Sequence, residues 1–187
     1  MTPSRLNLSN TRILAVDDNP QAMEILSQIL LGFAVDQPAK FLDPEEAMAK
    51  IATTTFNLMI IDDDMPGMSG FDMIAAIRRD PASRNYTAPI ILVSANPTKA
   101  FVRQARDCGA SLVIAKPIVP GVLLSRIQWL ARNPRAFVTS DCYRGPDRRF
   151  AVRPLPPGVE ERRIEMLRLL STSPERTLSQ DEINSLF

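Results

Sequence analysis

The sequence predicts an α/β protein built on a doubly wound, five-stranded parallel sheet. Four short apolar runs each end in polar side chains, which is typical of strands buried on both faces of a parallel sheet. Amphipathic helical patterns separate these runs, so that strand and helix alternate five times. This alternation indicates the strand order 2-1-3-4-5, followed by an extended, partly helical tail. The four runs are residues 13–18, 58–64, 90–94 and 112–116.

The first half of the predicted domain follows from local signals in chain order. A strand at 12–16 leads into a helix that begins near Pro20, because proline suits the first helical turn. A weaker strand is predicted at 34–41. Asp43 is the expected N-cap of the second helix, and Pro44 takes its first position.

The second half continues the same alternation, and prolines and glycines bound its elements. The predicted elements are a strand at 58–61, a helix from Gly70 to Asp80, a strand opened by Pro89, a helix from Pro97 to Gly109, a strand ending at Lys116 and a last helix at 119–132.

The composition excludes several classes of protein. With 187 residues, 45% of them hydrophobic, the chain has room for one ordinary domain plus an appendage. A formal net charge of +1 argues against general attraction to nucleic acid or membranes. No apolar run is long enough to span a bilayer, and the N-terminus lacks a signal-peptide pattern. Cys108 and Cys142 have no metal or redox spacing, so a reduced, cytoplasmic setting is expected.

The chain contains no histidine. Serine–histidine and cysteine–histidine nucleophilic pairs are therefore excluded, as is an imidazole zinc site. The chain also cannot donate a phosphoryl group from histidine. In phosphorelay chemistry it can act only on the aspartate side.

The polar ends of the predicted strands should meet at one edge of the sheet. Asp17, Asp18 and Asp62 follow the first and third strands, and their mutual repulsion would be relieved by Mg²⁺. Ser94 and Lys116 end the fourth and fifth strands. A hydroxyl and an ammonium beside a metal-bound carboxylate are suited to the oxygens of a phosphoryl group.

Four motifs in this order resemble the receiver domain of two-component response regulators, the CheY-like family. They are DDNP at 17–20, DDDMPGMSG at 62–70, Ser94-Ala95 and Lys116-Pro117. The resemblance covers roughly residues 10–133. It implies that the phosphoryl donor is a sensor histidine kinase or a phosphotransfer protein.

The resemblance also assigns roles within the site. By it, Asp62 is the phosphoacceptor, Asp17 and Asp18 hold Mg²⁺ with the backbone carbonyl of Asp64, and Ser94 and Lys116 bind the phosphoryl oxygens. The only chemistry implied is Mg²⁺-dependent transfer to Asp62 and later hydrolysis, so the chain is not expected to be an enzyme on another substrate.

Two positions depart from the family pattern. Val113 stands three residues before the lysine, where the family commonly has an aromatic residue that turns inward on phosphorylation. Asp64 adds an acid beside the site. Switching and the lifetime of the phosphoaspartate are therefore expected to differ, in a direction that the sequence does not give.

The sequence divides the chain into four parts. These are a flexible N-terminus at 1–10, the receiver at 11–133, an arginine- and proline-rich linker at 134–156, and short amphipathic helices at 157–187 that end in a docking peptide. No helix-turn-helix or winged-helix pattern is present in the tail, which argues against DNA binding.

The linker carries a candidate nucleotide site. Tyr143, Arg144, Arg148 and Arg149 place guanidinium forks beside an aromatic ring, and such forks bind phosphate and stack on flat rings. Cyclic di-GMP is a plausible ligand, because the segment resembles arginine-rich extensions of CheY-like proteins that bind it. The alternative is a linker that packs Phe137 and Tyr143 on the receiver.

The last ten residues form a candidate docking peptide. Ser179 and Glu182 predict a capping box, and Leu178 and Ile183 the accompanying hydrophobic staple. The predicted anchors are Leu178, Ile183, Leu186 and Phe187. The peptide resembles the N-terminal peptide of the flagellar switch protein FliM and, less closely, the C-terminal peptide of CheZ, both of which bind the receiver face of helix 4, strand 5 and helix 5. The alternative is a terminal helix packed for stability.

Taken together, these features predict a stand-alone response regulator of the chemotaxis or motility type that acts by binding proteins. The flagellar switch or another receiver are candidate partners; DNA and membranes are not. One alternative is a haloacid-dehalogenase-type phosphatase, whose acids have the spacing of Asp62 and Asp64, although its nucleophile lies on the first strand. Another is a receiver degraded to a scaffold.

Overall fold

The computed structural model describes residues 8–140, 142–148 and 177–186. Five parallel strands form one sheet in the order β2-β1-β3-β4-β5, as the sequence predicted. The strands are β1 (Ile13–Val16), β2 (Ala39–Phe41), β3 (Leu58–Asp62), β4 (Ile90–Ser94) and β5 (Leu112–Ala115). The intervening helices are α1 (Pro20–Gly32), α2 (Pro44–Thr53), α3 (Gly70–Arg79), α4 (Lys99–Cys108) and α5 (Pro120–Arg132).

The three central strands are buried along their whole length. Every residue of β1, β3 and β4 is buried, which explains why their sequences are continuously apolar instead of alternating. No helix in the described part of the chain is long and apolar enough to cross a membrane.

Side-chain caps begin the helices at the predicted places. Asp43 accepts a hydrogen bond from the Glu45 amide at 2.7 Å, and Asn19 and Thr98 cap α1 and α4 in the same way. Gly109 ends α4 with a φ of 100°, in the left-handed region that favours glycine. These caps fix where each strand-to-helix loop lies, and those loops carry the site.

The second strand is shorter than predicted, since only Ala39–Phe41 pair with β1. Ala34 has a φ of 62°, and the amide of Val35 donates to Leu30. These two residues therefore complete the turn that ends α1. Val35 is apolar because it packs in the core beneath that helix and not because it belongs to a strand.

An antiparallel hairpin follows α5, formed by β6 (Phe137–Ser140) and β7 (Tyr143–Pro146). The sequence predicted only an extended, turn-rich segment here. The hairpin packs against the receiver: the Phe137 ring lies 4.7 Å from the Tyr86 ring, and the Tyr86 hydroxyl is 2.9 Å from Thr139 Oγ1. Phe137 thus contacts the folded domain, as the packing alternative expected, whereas the Tyr143 hydroxyl donates to the Pro146 carbonyl within the hairpin.

The terminal segment, residues 177–186, contains a short helix, α6 (Gln180–Asn184). The predicted capping box is confirmed, because the side chain of Ser179 bonds the Glu182 amide while Glu182 bonds the Ser179 amide. The anchor Phe187, the residue Arg149 and the amphipathic helix predicted within 157–171 lie outside the described residues.

Candidate phosphoryl and metal site

Two carboxylates lie side by side at the carboxyl edge of the sheet. Asp62 is the last residue of β3, and Asp17 directly follows β1; the pairing of Val16 with Ile61 makes them neighbours. Asp17 is 3% exposed and Asp62 is 4% exposed. One carboxylate oxygen each of Asp17, Asp18 and Asp62 lie within 4.8 Å of one another. The strand ends therefore gather the acids as the sequence predicted.

Lys116 bridges the two buried carboxylates. Its Nζ atom lies 2.8 Å from Asp62 Oδ1 and 3.0 Å from Asp17 Oδ2. Lys116 directly follows β5, and its amide donates to the Ser94 carbonyl at 2.7 Å, which fixes the root of the side chain. The ammonium consequently reaches across β4 to β3 and β1.

Burial sets the protonation of this group of side chains. Desolvation raises the pKa of Asp62 to about 6, and the negative charge of Asp17 adds to the rise, while Lys116 opposes it. Burial would lower the pKa of Lys116, but its bonds to Asp62 and Asp17 outweigh this and raise it. The buried acids are therefore short of positive charge even with the lysine in place.

The residues present fit a Mg²⁺ ion. Asp62 Oδ1 is buried, and the ammonium of Lys116, 2.8 Å away, is its charged neighbour. Hard carboxylate oxygens in a cluster of three are suited to a hard divalent cation. Asp64 is exposed in the loop after β3, and the role of its carbonyl as a further ligand stays a prediction.

Ser94 makes a contact that the sequence did not predict. Its hydroxyl donates to Asp63 Oδ2 at 3.0 Å and accepts from the Asn96 amide at 3.2 Å. Burial raises the pKa of Asp63. The sequence points to Asp64 as the extra acid and not to Asp63, because the direction of a side chain directly after a strand has no periodic signal. The order of Asp63 and Ser94 on adjacent parallel strands could have suggested the pair.

In the arginine-rich segment, the predicted nucleotide-binding side chains Tyr143, Arg144 and Arg148 make contacts within the protein. The Arg148 guanidinium stacks 3.6 Å from the centre of the Tyr143 ring and lies 2.8 Å from Asp107 Oδ1. Arg144 donates to the Arg79 carbonyl at 3.3 Å. Cyclic di-GMP binding stays a prediction, and it would require a ligand that competes with Asp107 for Arg148.

The terminal segment lies on the receiver, against α4 and β5. Leu178 is 3% exposed and Ile183 is fully buried, and both belong to the same hydrophobic core as the strands. The Leu178 amide donates to the Pro97 carbonyl at 2.9 Å, and Arg106 donates to the Leu186 carbonyl at 3.0 Å. Three of the four predicted anchors are thus packed or partly packed against the chain's own receiver.

Comparison with known proteins identifies the family. The family model described as the response regulator receiver domain matches residues 13–128. This chain belongs to the response regulator receiver family. Over 117 residues the receiver is 26% identical to the chemotaxis protein CheY of Pseudomonas aeruginosa. The matched region covers 63% of this chain and 93% of that protein.

Further relatives agree with this family. The receiver is 30% identical over 135 residues to the sensory/regulatory protein RpfC of Xanthomonas campestris, covering 72% of this chain and only 18% of RpfC. The solved structure of the chemotaxis response regulator CheY4 of Vibrio cholerae matches with a TM-score of 0.59 and 28% identity, over 64% of this chain and 98% of that one. The phosphatase alternative is not favoured, because the acid pair Asp17 and Asp18 follows β1, as in the receiver motif.

Proposed function

We propose that this receiver accepts a phosphoryl group on Asp62 from a sensor histidine kinase or a phosphotransfer protein. It acts in the cytoplasm, in signalling of the chemotaxis or motility type, by binding other proteins and not DNA. The observation that carries the proposal is the position of Lys116, whose ammonium is within 3.0 Å of both buried carboxylates, Asp62 and Asp17.

Transfer is an in-line displacement at phosphorus. An oxygen of Asp62 attacks the phosphorus of the donor's phosphohistidine, the phosphorus–nitrogen bond breaks, and the imidazole leaves with the electron pair and takes up a proton. Lys116 and the hydroxyl of Ser94 bind the phosphoryl oxygens and stabilise the charge on them. A Mg²⁺ ion held by Asp17, Asp18, Asp62 and the Asp64 carbonyl would supply further charge neutralisation.

Hydrolysis reverses the modification. Water attacks the phosphorus, the bond to Asp62 breaks, and inorganic phosphate leaves while the carboxylate is restored. The receiver itself is therefore the only substrate of its chemistry.

Two observations support output through protein binding. The receiver spans 93% of the length of the CheY protein to which it is similar, a protein named for chemotaxis. Residues 137–140, 142–146 and 177–186 pack on the receiver and add to its surface. The flagellar switch or another receiver are proposed partners, because the terminal segment resembles the FliM peptide.

The proposal is tested by phosphorylation in solution. Acetyl phosphate with Mg²⁺ should add one phosphoryl group, detected by intact-protein mass spectrometry, and chelation of Mg²⁺ should prevent it. Asp62→Asn should abolish uptake, whereas Asp36→Asn, which replaces an exposed acid remote from the site, should leave it intact. Uptake that persists in Asp62→Asn, or none in the unmodified chain, would overturn the proposal.

A further inference from the structure

Strand β5 is the last strand of the sheet, so one side of it is free to pair with another chain segment. The side chain of Gln180 occupies that side. Its Oε1 atom accepts from the Ala115 amide at 2.9 Å, and its Nε2 atom donates to the Val113 carbonyl at 3.2 Å. One carboxamide group thus replaces the peptide group that a sixth strand would present.

Apolar anchors hold the segment on both sides of this contact. Leu178 precedes the capping box and Ile183 lies in α6, and both are buried. The Leu178 amide bonds Pro97 just before α4, and Arg106 bonds the far end of the segment at Leu186. The capping box, the two buried anchors and these hydrogen bonds together define the surface between α4 and β5 as a site for a short N-capped helix.

A chain of hydrogen bonds joins this segment to the phosphoryl site. The hydroxyl of Thr177 bonds the side chain of Asn96, the amide of Asn96 bonds the hydroxyl of Ser94, and that hydroxyl donates to Asp63. A serine hydroxyl has one proton to donate. It cannot serve Asp63 and a phosphoryl group on Asp62 at the same time.

We propose that residues 177–186 are the resting occupant of the α4–β5 surface and that phosphorylation of Asp62 releases them. When the Ser94 hydroxyl redirects its hydrogen bond from Asp63 to the phosphoryl group, Asn96 and Pro97, the two residues that hold Thr177 and Leu178, are displaced. Release uncovers the α4–β5 surface. The release step rests on the proposed function, whereas the resting occupancy does not.

The energetics suit a switch. A tethered segment has an effective concentration of about 1 mM, so a free-peptide Kd of about 0.1 mM gives about nine-tenths occupancy. A tenfold loss of affinity on phosphorylation lowers the occupancy to about one half. A strongly bound segment would not respond to so small a change at Ser94.

Hydrogen exchange of the Ala115 amide in the full-length chain tests the resting occupancy. This amide should be protected, and Ile183→Ala should speed its exchange several-fold because the segment leaves, while amides of the central strand β4 stay unchanged. Ser185→Ala, at an exposed position of the same segment, is the matched control and should have no effect. Unchanged Ala115 exchange in Ile183→Ala would overturn the occupancy.

The same amide tests the release. Acetyl phosphate with Mg²⁺ should speed Ala115 exchange in the full-length chain, and phosphorylation of the same sample is read by mass spectrometry. A fluorescent peptide of residues 175–187 should bind Ile183→Ala about tenfold more tightly than the resting unmodified chain, because the surface is open there, and phosphorylation of Ile183→Ala should weaken that binding about tenfold. Phosphorylated protein with unchanged exchange and unchanged peptide affinity would overturn the release and leave the proposed function standing. Failure to phosphorylate would overturn both, while the Ile183→Ala comparison would still decide the occupancy.

Discussion

Strand β7 meets the end of α4 through the backbones of Gly109 and Gly145. A Cβ atom added to Gly145 would lie 2.8 Å from the Cα atom of Gly109, closer than real Cβ contacts allow. A Cβ atom on Gly109 would in turn lie 2.6 Å from the Arg144 carbonyl oxygen. At this point the hairpin and the receiver are in direct main-chain contact.

The first prediction follows from this contact. Gly145→Ala should lower the free energy of unfolding by about 1–3 kcal/mol, because either the hairpin or the turn after α4 must move. Gly121→Ala is the matched control, since a Cβ atom there meets nothing within 4 Å, and it should be neutral or slightly stabilising. Urea denaturation of the two variants measures the difference. Equal stabilities would show that the hairpin does not rest on this contact.

The second prediction concerns Arg78, which is almost fully buried although it is charged. Its guanidinium donates to four carbonyl groups, those of Asn85, Tyr86, Ala88 and Gly109. Burial lowers its pKa to about 10, so it remains charged at neutral pH. Arg78 thereby ties the loop before β4 to the turn after α4.

Arg78→Met should destabilise the fold by about 3–5 kcal/mol, because it leaves several buried carbonyls without a donor. Arg78→Lys should recover only part of this loss, since an ammonium lacks the planar fork. Arg79→Met, at the exposed neighbouring position, should change stability by no more than about 0.5 kcal/mol. Thermal unfolding followed by circular dichroism compares them. If Arg78→Met and Arg79→Met unfold alike, the buried arginine is not structural.

Much of the receiver was predictable because its signals are local. Continuous apolar runs predict buried parallel strands. Asp43 predicts the start of α2 and Gly109 the end of α4, because each residue type is preferred at that helix terminus. The sheet then brings Asp17, Asp62 and Lys116 together, since parallel strands end at a common edge. Four short motifs in order, together with the alternation of strands and helices, were thus sufficient to predict both the fold and the grouping of acids.

The features that were missed depend on contacts between distant segments. The side chain of Gln180 bonds the edge of β5 where a sixth strand would pair, and a hydrophobic pattern does not predict such a polar contact. The hairpin at 137–146 has short, half-polar strands, and its packing depends on Gly109, far earlier in the chain. Asp63 follows a strand and turns toward Ser94 only because β3 and β4 are adjacent. Such pairings become visible only when the sheet is assembled.

The third prediction concerns the two cysteines. Burial raises the pKa of the Cys108 thiol to about 11, whereas Cys142 is exposed in the hairpin. At about pH 8 only about 0.1% of Cys108 would be thiolate, and the thiolate is the reactive form. Iodoacetamide should therefore modify Cys142 at least about tenfold faster than Cys108. In denaturing urea the two rates should converge, and peptide mass spectrometry reads both. Equal rates in the folded chain would contradict the partial burial of Cys108.

The last prediction is that the carboxylate of Asp62, the proposed phosphoacceptor, destabilises the metal-free fold. The pKa of Asp62 rises from 3.8 to about 6 on folding, chiefly through burial, so folding disfavours its charged form. Above about pH 6 the carboxylate is charged in both states and opposes folding; below 3.8 it is neutral in both and the penalty vanishes. Asp62→Asn should thus stabilise the protein by about 1–2 kcal/mol at neutral pH in a chelator, and by about zero near pH 4. Urea denaturation across this range measures the change, with Asp36→Asn as the exposed control. A gain that is independent of pH, or a loss at neutral pH, would contradict the buried charge as its cause.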